Sequence, residues 1–247
     1  MPLHLYPAVP DDAGRISEIH MEAFASNAML LAQFPTPGVR DGLRESIRLK
    51  ALADIDDPKI SVLVVRDIPR VTDAPNMTAD ENCSGRHSGV NEILKVDGSQ
   101  DARTGKVVAF AKWSHPVGRD EEYEETAWKW PPGTDVQILE SWGRATEEAQ
   151  KRAVGDQSCY RLTFMGTDPA HERRGAASMM VRWGLAQCKK YNIPGYLEST
   201  LHAAPFYEKM GFARAGNISL RYPIRVDGHD RDEVYNEIAF VYHPTAT

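Results

Sequence analysis

Between Ser158 and Lys190 the chain changes its hydrophobic period, and that change restricts the possible folds more than any other feature. SCYRLTFMG (Ser158–Gly166) reads as a central strand. Thr167–Ala177, TDPAHERRGAA, then supplies a proline, two arginines, a glycine and two alanines, and a helical period runs from Gly175 to about Lys190. Ser178, Arg182 and Lys189 fall on one narrow polar stripe of that helix. Met179, Met180, Val181, Trp183, Leu185 and Cys188 fill most of the remaining circumference. A helix with so little polar surface, fed directly from a strand, is expected to lie against a sheet and to be packed on several sides.

The rest of the chain supplies that sheet. LHLYPAV reads as a first strand, and Pro10-Asp11-Asp12 opens a helix with Ile16, Ile19, Ala23 and Phe24 on one face. LLAQFPTPG breaks that helix at its prolines. RDGLRESIRLKALADIDDP forms a second helix, with Leu43, Ile47 and either Leu49 or Lys50 along its buried side. Ile60–Val65 is a β-branched run expected to be a buried strand, and Lys106–Ser114 resumes as a strand. Between them, residues 67–104 are rich in Asp, Ser, Asn, Gly and Thr without apolar period, as expected of a polar surface insertion. VQILESWGRATEEAQKRAVG reads as a helix with Leu139, Trp142 and Ala145 near one face. YLEST follows as a short strand, APFYEKMGF as a short helix stopped at Gly211, and ARAGNISLRYPI and EIAFVYH as closing strands. The order β, α, α, β, β, α, β, α, β, α, β, β implies one α/β (α+β) domain over residues 1–247. Its helices would cover a mixed, mostly antiparallel sheet.

With 42% hydrophobic and 26% charged residues in 247, the chain can bury one sizeable core. Its net charge of -6 argues against a general nucleic-acid surface. Cys83, Cys159 and Cys188 lie far apart and form neither a metal-like pair nor an even disulfide set. The opening MPLHLYPAVPDDAG lacks an apolar signal core, and no run approaches a membrane-spanning length. These features lead us to expect a cytoplasmic protein, monomer or homodimer, that engages neither membrane nor nucleic acid. No metal constellation, Gly-Lys-Ser/Thr phosphate loop or Gly-x-Ser-x-Gly elbow is present in the sequence.

The turn at Arg173–Ser178 has its own chemistry. Backbone N–H groups at a helix start lack intrahelical acceptors, and with the helix dipole they favour an anion. Gly175, Ala176 and Ala177 let a ligand approach the backbone, and Arg173 and Arg174 can add charge-assisted contacts to phosphate oxygens. An ordinary strand-to-helix turn with solvated arginines explains the same residues.

The stretch Thr167–Val181, with Pro169 and then Glu172-Arg173-Arg174-Gly175-Ala176-Ala177, resembles the acyl-CoA-binding motif of the GNAT superfamily of N-acetyltransferases. YLESTLHAAPFYEKMGFARAG resembles that family's second signature, and WKWPPGTDVQILESWGRATEEAQKR is similar to fungal small-molecule acetyltransferases. The resemblance is closest over Trp128–Gly216 and looser over Pro7–Arg66. It implies acetyl-CoA as co-substrate without a metal, and direct transfer to a small-molecule amine in a ternary complex. It further implies pyrophosphate on the amides of Arg173 to Ser178, including Gly175, Ala176 and Ala177. The pantetheine arm would pair with the strand edge at Met165 and Thr167. The Met165 N–H would polarise the thioester carbonyl, and Tyr207 would protonate the departing thiolate. The chain departs from the family pattern in three places. Glu172 stands where Gln or Arg is usual. Arg161 replaces a frequent catalytic glutamate. Ala203 and Ala204 replace a glycine and a basic residue. Protein acetylation and a CoA-binding protein without turnover are the alternative functions.

An amine must lose a proton to attack, so a base is needed. Glu198 on the YLEST strand is the first candidate, His202 the second and His115 the third. Glu22 and Phe24 on the first helix are candidates for the acceptor pocket. Trp113, Trp128, Trp130 and Trp142 either wall that pocket or belong to the core.

Overall fold

A computed structural model describes residues 2–68, 105–118, 120–226 and 229–244. Residues 69–104, most of the expected insertion, lie outside that range, as does Cys83. Seven strands form one sheet in the order β1-β2-β3-β4-β5-β7-β6. They are β1 (Leu3–Pro7), β2 (Ile60–Asp67), β3 (Lys106–Ser114), β4 (Tyr160–Thr167), β5 (Gly195–Thr200), β6 (Ala213–Val226) and β7 (His229–Tyr242). Only the β4–β5 pair is parallel, so the sheet is mixed and mostly antiparallel.

Among the described residues, six α-helices flank it: α1 (Ala13–Ala23), α2 (Ala28–Gln33), α3 (Pro37–Asp56), α4 (Val136–Val154), α5 (Ala176–Tyr191) and α6 (Ala204–Lys209). Alternation along the strands divides the core. Leu63, Val65, Ala109, Ala111 and Trp113 face α5 and α6, whereas Val62, Val64 and Phe110 face α1 and α3. α4 covers Tyr196, Ala239 and Ile218 on the β5–β7–β6 half. The sequence reading missed α2, which begins where Asn27 accepts the Leu30 N–H at 2.9 Å.

Two local choices follow from packing. α5 buries one side only, through Ala176, Met180, Val181, Gly184, Leu185 and Cys188, and leaves Met179 and Trp183 half-buried. A single sheet face covers it, which corrects the expectation of burial on several sides. Trp113 lies beneath this helix, and a Cβ on Gly184 would sit 2.1 Å from its ring. Glycine at 184 is therefore what lets helix and indole approach. On α3 the buried position is Lys50, while Leu49 is exposed. An ion pair overrides the hydrophobic preference there.

Candidate active site

β4 and β5 pair only at Tyr160↔Gly195, Arg161↔Tyr196 and Leu162↔Leu197. Both strands continue beyond these pairs, so the sheet splits and leaves an open edge on β4. A bulge decides which groups line that edge. Trp113 opposes Leu162 and Lys112 opposes Phe164, so Thr163 is the extra residue. Tyr160 N–H bonds Pro194 on the β5 side, whereas Asp168 N–H bonds Val108 on the β3 side. Strict alternation would send both the same way. The extra residue reverses the parity, so the backbone groups of Met165 and Thr167 face the split.

Beyond β4 the chain turns through Arg173 (φ 59°) and Gly175 (φ 94°) into α5. The first helical bond runs from Met179 N–H to Gly175 O at 3.2 Å, so the amides of Ala176, Ala177 and Ser178 have no intrahelical acceptor. An added Cβ at Gly175 would meet nothing within 4 Å, so the cradle is open. These features fit a pyrophosphate. The two arginines differ. Arg173 is exposed, whereas Arg174 binds Asp67 at 2.6 Å and His171 Nδ1 at 2.6 Å. Arg174 thus ties the turn to the end of β2. Its hydrogen bond holds the Asp67 carboxyl below the usual carboxylate range. Asp168 braces the start of the turn, capping Ala170 N–H at 2.9 Å and pairing with Arg15 at 2.5 Å.

Tyr207 on α6 is buried on the other side of the split, with its ring 5.1 Å from Phe206 and 6.1 Å from Phe240. Burial, with the Glu237 carboxyl nearby, pushes its phenol well above the ordinary tyrosine range. A phenol so held is a proton donor rather than a phenolate.

On the opposite face lies a cavity of about 160 Å³ under α1–α4. Trp128 and Trp130 stack along one wall with centroids 4.7 Å apart and planes 1° from parallel. Phe34 and Trp142 add to the wall, Phe164 of β4 lies toward the split, and Tyr235 and Glu237 of β7 complete the lining. The tryptophan wall belongs to the irregular strap 120–135. Lys59–Glu121, Tyr123–Asp57 and Glu125 with both Lys50 and Lys112 anchor that strap. Pro131 packs on Gly42, where a Cβ would stand 2.7 Å from the proline Cβ.

The expected site residues therefore separate. Phe24, Trp128, Trp130 and Trp142 line the cavity, but Trp113 is sealed in the core on the other sheet face. Glu22 and His202 are exposed, and His115 bonds Ser61 at 2.8 Å. Glu198 is bound by Arg161 at 2.7 Å and is not part of the cavity lining. Arg161, the departure noted at the usual glutamate position, is thus the partner of the YLEST carboxylate.

Glu237 was missed. Its carboxylate accepts from Tyr235 OH at 2.7 Å, and Asn27 Nδ2 donates to the same hydroxyl at 2.8 Å. Burial raises the Glu237 carboxyl to about 7, against the hydrogen bond from Tyr235 that lowers it. In the sequence Glu237 is one of several carboxylates in DRDEVYNEI. Only the β5–β7 register, with Thr200 opposite Glu237, brings it to the split.

Residues 101–212 match the family described as Acetyltransferase (GNAT) family. Over that segment the chain is similar to the GNAT acetyltransferases. A probable acyltransferase, SID5 of Ajellomyces capsulatus, is 36% identical over 61 residues, which are 25% of this chain and 43% of that protein. This alignment spans under half of the relative. Among solved structures, the chain resembles the C-terminal condensation domain of Ebony in complex with beta-alanyl-dopamine (TM-score 0.56, 12% identity, covering 98% and 99% of the two chains). It also resembles a mosquito arylalkylamine N-acetyltransferase like 5b (0.53, 12%, 98% and 100%). A third similar structure is described as histone acetyltransferase HPA2 and related acetyltransferase from Corynebacterium glutamicum (0.52, 19%, 100% and 99%). At these identities the likeness establishes the shared GNAT fold. Among the described residues, no helix of this chain is long and apolar enough to cross a membrane.

Proposed function

We propose that the protein transfers an acetyl group from acetyl-CoA to the primary amine of a small molecule, by direct attack in a ternary complex. The observation that carries this reading is the position of the aromatic cavity. It abuts the split in the sheet at Phe164, one residue from Met165, while the α5 turn and Tyr207 flank the same split.

The amides from Arg173 to Ser178, with Gly175, Ala176 and Ala177 at the closest approach, would bind the pyrophosphate. Arg173 would add charge. Met165 and Thr167 would pair with the pantetheine amides as an added strand does. That pairing sets the thioester carbonyl on the Met165 N–H, where developing negative charge is stabilised. Tyr207 would give its proton to the leaving thiolate. Buried Cys159 and Cys188 are free thiols whose burial raises them to about 11 and about 12, in keeping with a role in the reducing cytoplasm.

The cavity holds a compact acceptor, and its walls favour an aromatic or branched apolar group. One structural neighbour is described in complex with beta-alanyl-dopamine and another is named an arylalkylamine N-acetyltransferase like 5b, which agrees with that shape. A release assay for CoA thiol with a panel of free amines and of peptides tests the reading. Turnover of free amines is the expected result. Turnover restricted to peptides would move the acceptor to protein. CoA binding without release from any acceptor would leave a binding protein.

A further inference from the structure

We propose that Glu237 is the group that receives the acceptor's proton, and that the cavity it lines selects a primary ammonium carried on an aromatic group. The inference rests on the acyl-transfer reading and adds the acceptor's charge and the residue that removes it.

Geometry carries the argument. Glu237 is the one acidic side chain among the described residues lining the cavity, and neither Lys nor Arg joins that lining. His20 is the other titrating group of the wall apart from Tyr235. Burial holds its imidazole near 4, so it stays neutral and does not repel an ammonium. The Asn27–Tyr235–Glu237 chain of hydrogen bonds runs toward the carboxylate. Asn27 donates to Tyr235, and Tyr235 donates to Glu237. The Asn27 bond orients the Tyr235 hydroxyl, and the Tyr235 bond fixes the carboxylate while leaving it able to accept another donor. Tyr207 of α6 and Glu198 of β5 are the other titratable groups within electrostatic reach of it, and the charge of Glu198 is engaged by Arg161. Trp128 and Trp130 present stacked faces to whatever hydrophobic group the ammonium carries.

The step balances without another reactant. The ammonium passes one proton to the Glu237 carboxylate. The amine nitrogen then bonds to the thioester carbonyl carbon as the carbon–sulfur bond breaks. The second nitrogen proton is matched by the proton that Tyr207 gives to sulfur, returned to the phenolate as the amide forms. Glu237 releases its proton to solvent when product leaves. A carboxyl titrating near neutrality suits both directions of that exchange.

The test uses the full chain, acetyl-CoA and 2-phenylethylamine as probe. CoA release is followed against pH for wild type, Glu237→Gln and Glu198→Gln. In the wild type kcat/KM is expected to rise with pH along a limb centred near 7. Glu237→Gln, which still accepts from Tyr235, should lose about 100-fold or more in kcat/KM and lose that limb. Glu198→Gln should retain the limb. A Glu237→Gln enzyme with the wild-type limb overturns the proposal and leaves acyl transfer standing. Calorimetry on the CoA-loaded protein gives a second readout. Here 2-phenylethylamine should bind the wild type at least about tenfold more tightly than Glu237→Gln, and 2-phenylethanol should not distinguish the two. Glu237-dependent binding without turnover would keep the ammonium site and remove the transferase reading. Absence of binding, in a protein that acetylates other amines, would remove the ammonium site and keep the transferase.

Discussion

The two halves of the site are built in different ways. The donor half is continuous in the chain: one strand edge, one turn and one helix start, all between Met165 and Ser178. The groups proposed to hold CoA there are mostly backbone, so small side chains matter for what they leave open. The acceptor half draws side chains from α1, α2, α3, the strap, α4, β4 and β7. Backbone recognition tolerates sequence change and serves one invariant partner. Side-chain recognition from scattered segments can be rewritten one residue at a time. On the reading proposed above, the acceptor half is where this chain would set its own specificity.

If that division is real, variants should separate cleanly into those that alter CoA binding, those that alter acceptor handling and those that alter only the transfer step. The largest effect is expected from Tyr207→Phe. Turnover should fall by roughly 10- to 1000-fold, as for loss of a general acid, with CoA affinity nearly unchanged because the ring still packs. Full activity of that variant would mean that solvent protonates the thiolate.

Glu237 gives the next effect, read as stability. Its carboxyl titrates at about 4.5 in the unfolded chain and about 7 in the fold. Between these values the native state holds more protons, so stability falls as pH rises through the window, and the cost is complete above the folded value. Glu237→Gln should therefore be more stable than wild type above neutral pH, by as much as about 3 kcal/mol. The difference should vanish below the unfolded value. Chemical denaturation of both proteins at several pH values checks this. Parallel curves would show that the site is wetter than its walls suggest.

Gly175→Glu attacks the donor half alone. It places a negative side chain, at a positive φ that L residues rarely adopt, where the pyrophosphate should lie. CoA affinity should fall at least roughly tenfold, about 1.4 kcal/mol. Calorimetry on a folded variant with unchanged CoA binding would reject the phosphate assignment.

The smallest effect tests the strap. Lys112 and Lys50 hold the Glu125 carboxyl below the usual range although burial pushes it the other way. Glu125→Gln would loosen the segment that presents Trp128 and Trp130. The acceptor KM should rise a few fold, of the order of 1 kcal/mol, while CoA affinity stays constant. A change in CoA affinity instead would show that the two halves are coupled.

The strands and major helices were legible because each carries its own period. Lys106–Ser114 and the helix after Gly175 emerge with nearly the observed bounds. So did the donor turn, whose Gly175 and flanking alanines act within a few residues of each other. α2 was hidden because its six residues sit among prolines and its stability comes from the Asn27 cap and from packing against α4. Burial of Lys50 was left open because its partners, Asp54 and Glu125, are a helical turn and 75 residues away.

By itself, then, the sequence determined the α/β class, the order of the strands and longer helices and the glycine turn before α5, all consequences of local period and local sterics. Only the tertiary structure decided which way β4 presents Met165, since that depends on a bulge against β3. It alone sorted Trp113 into the core and Trp128, Trp130 and Trp142 into the cavity. It also paired Glu198 with Arg161 and brought Glu237 to the split. A carboxylate's chemistry follows from its burial and its partners, and those are set by strand register across the sheet rather than by neighbours in the chain.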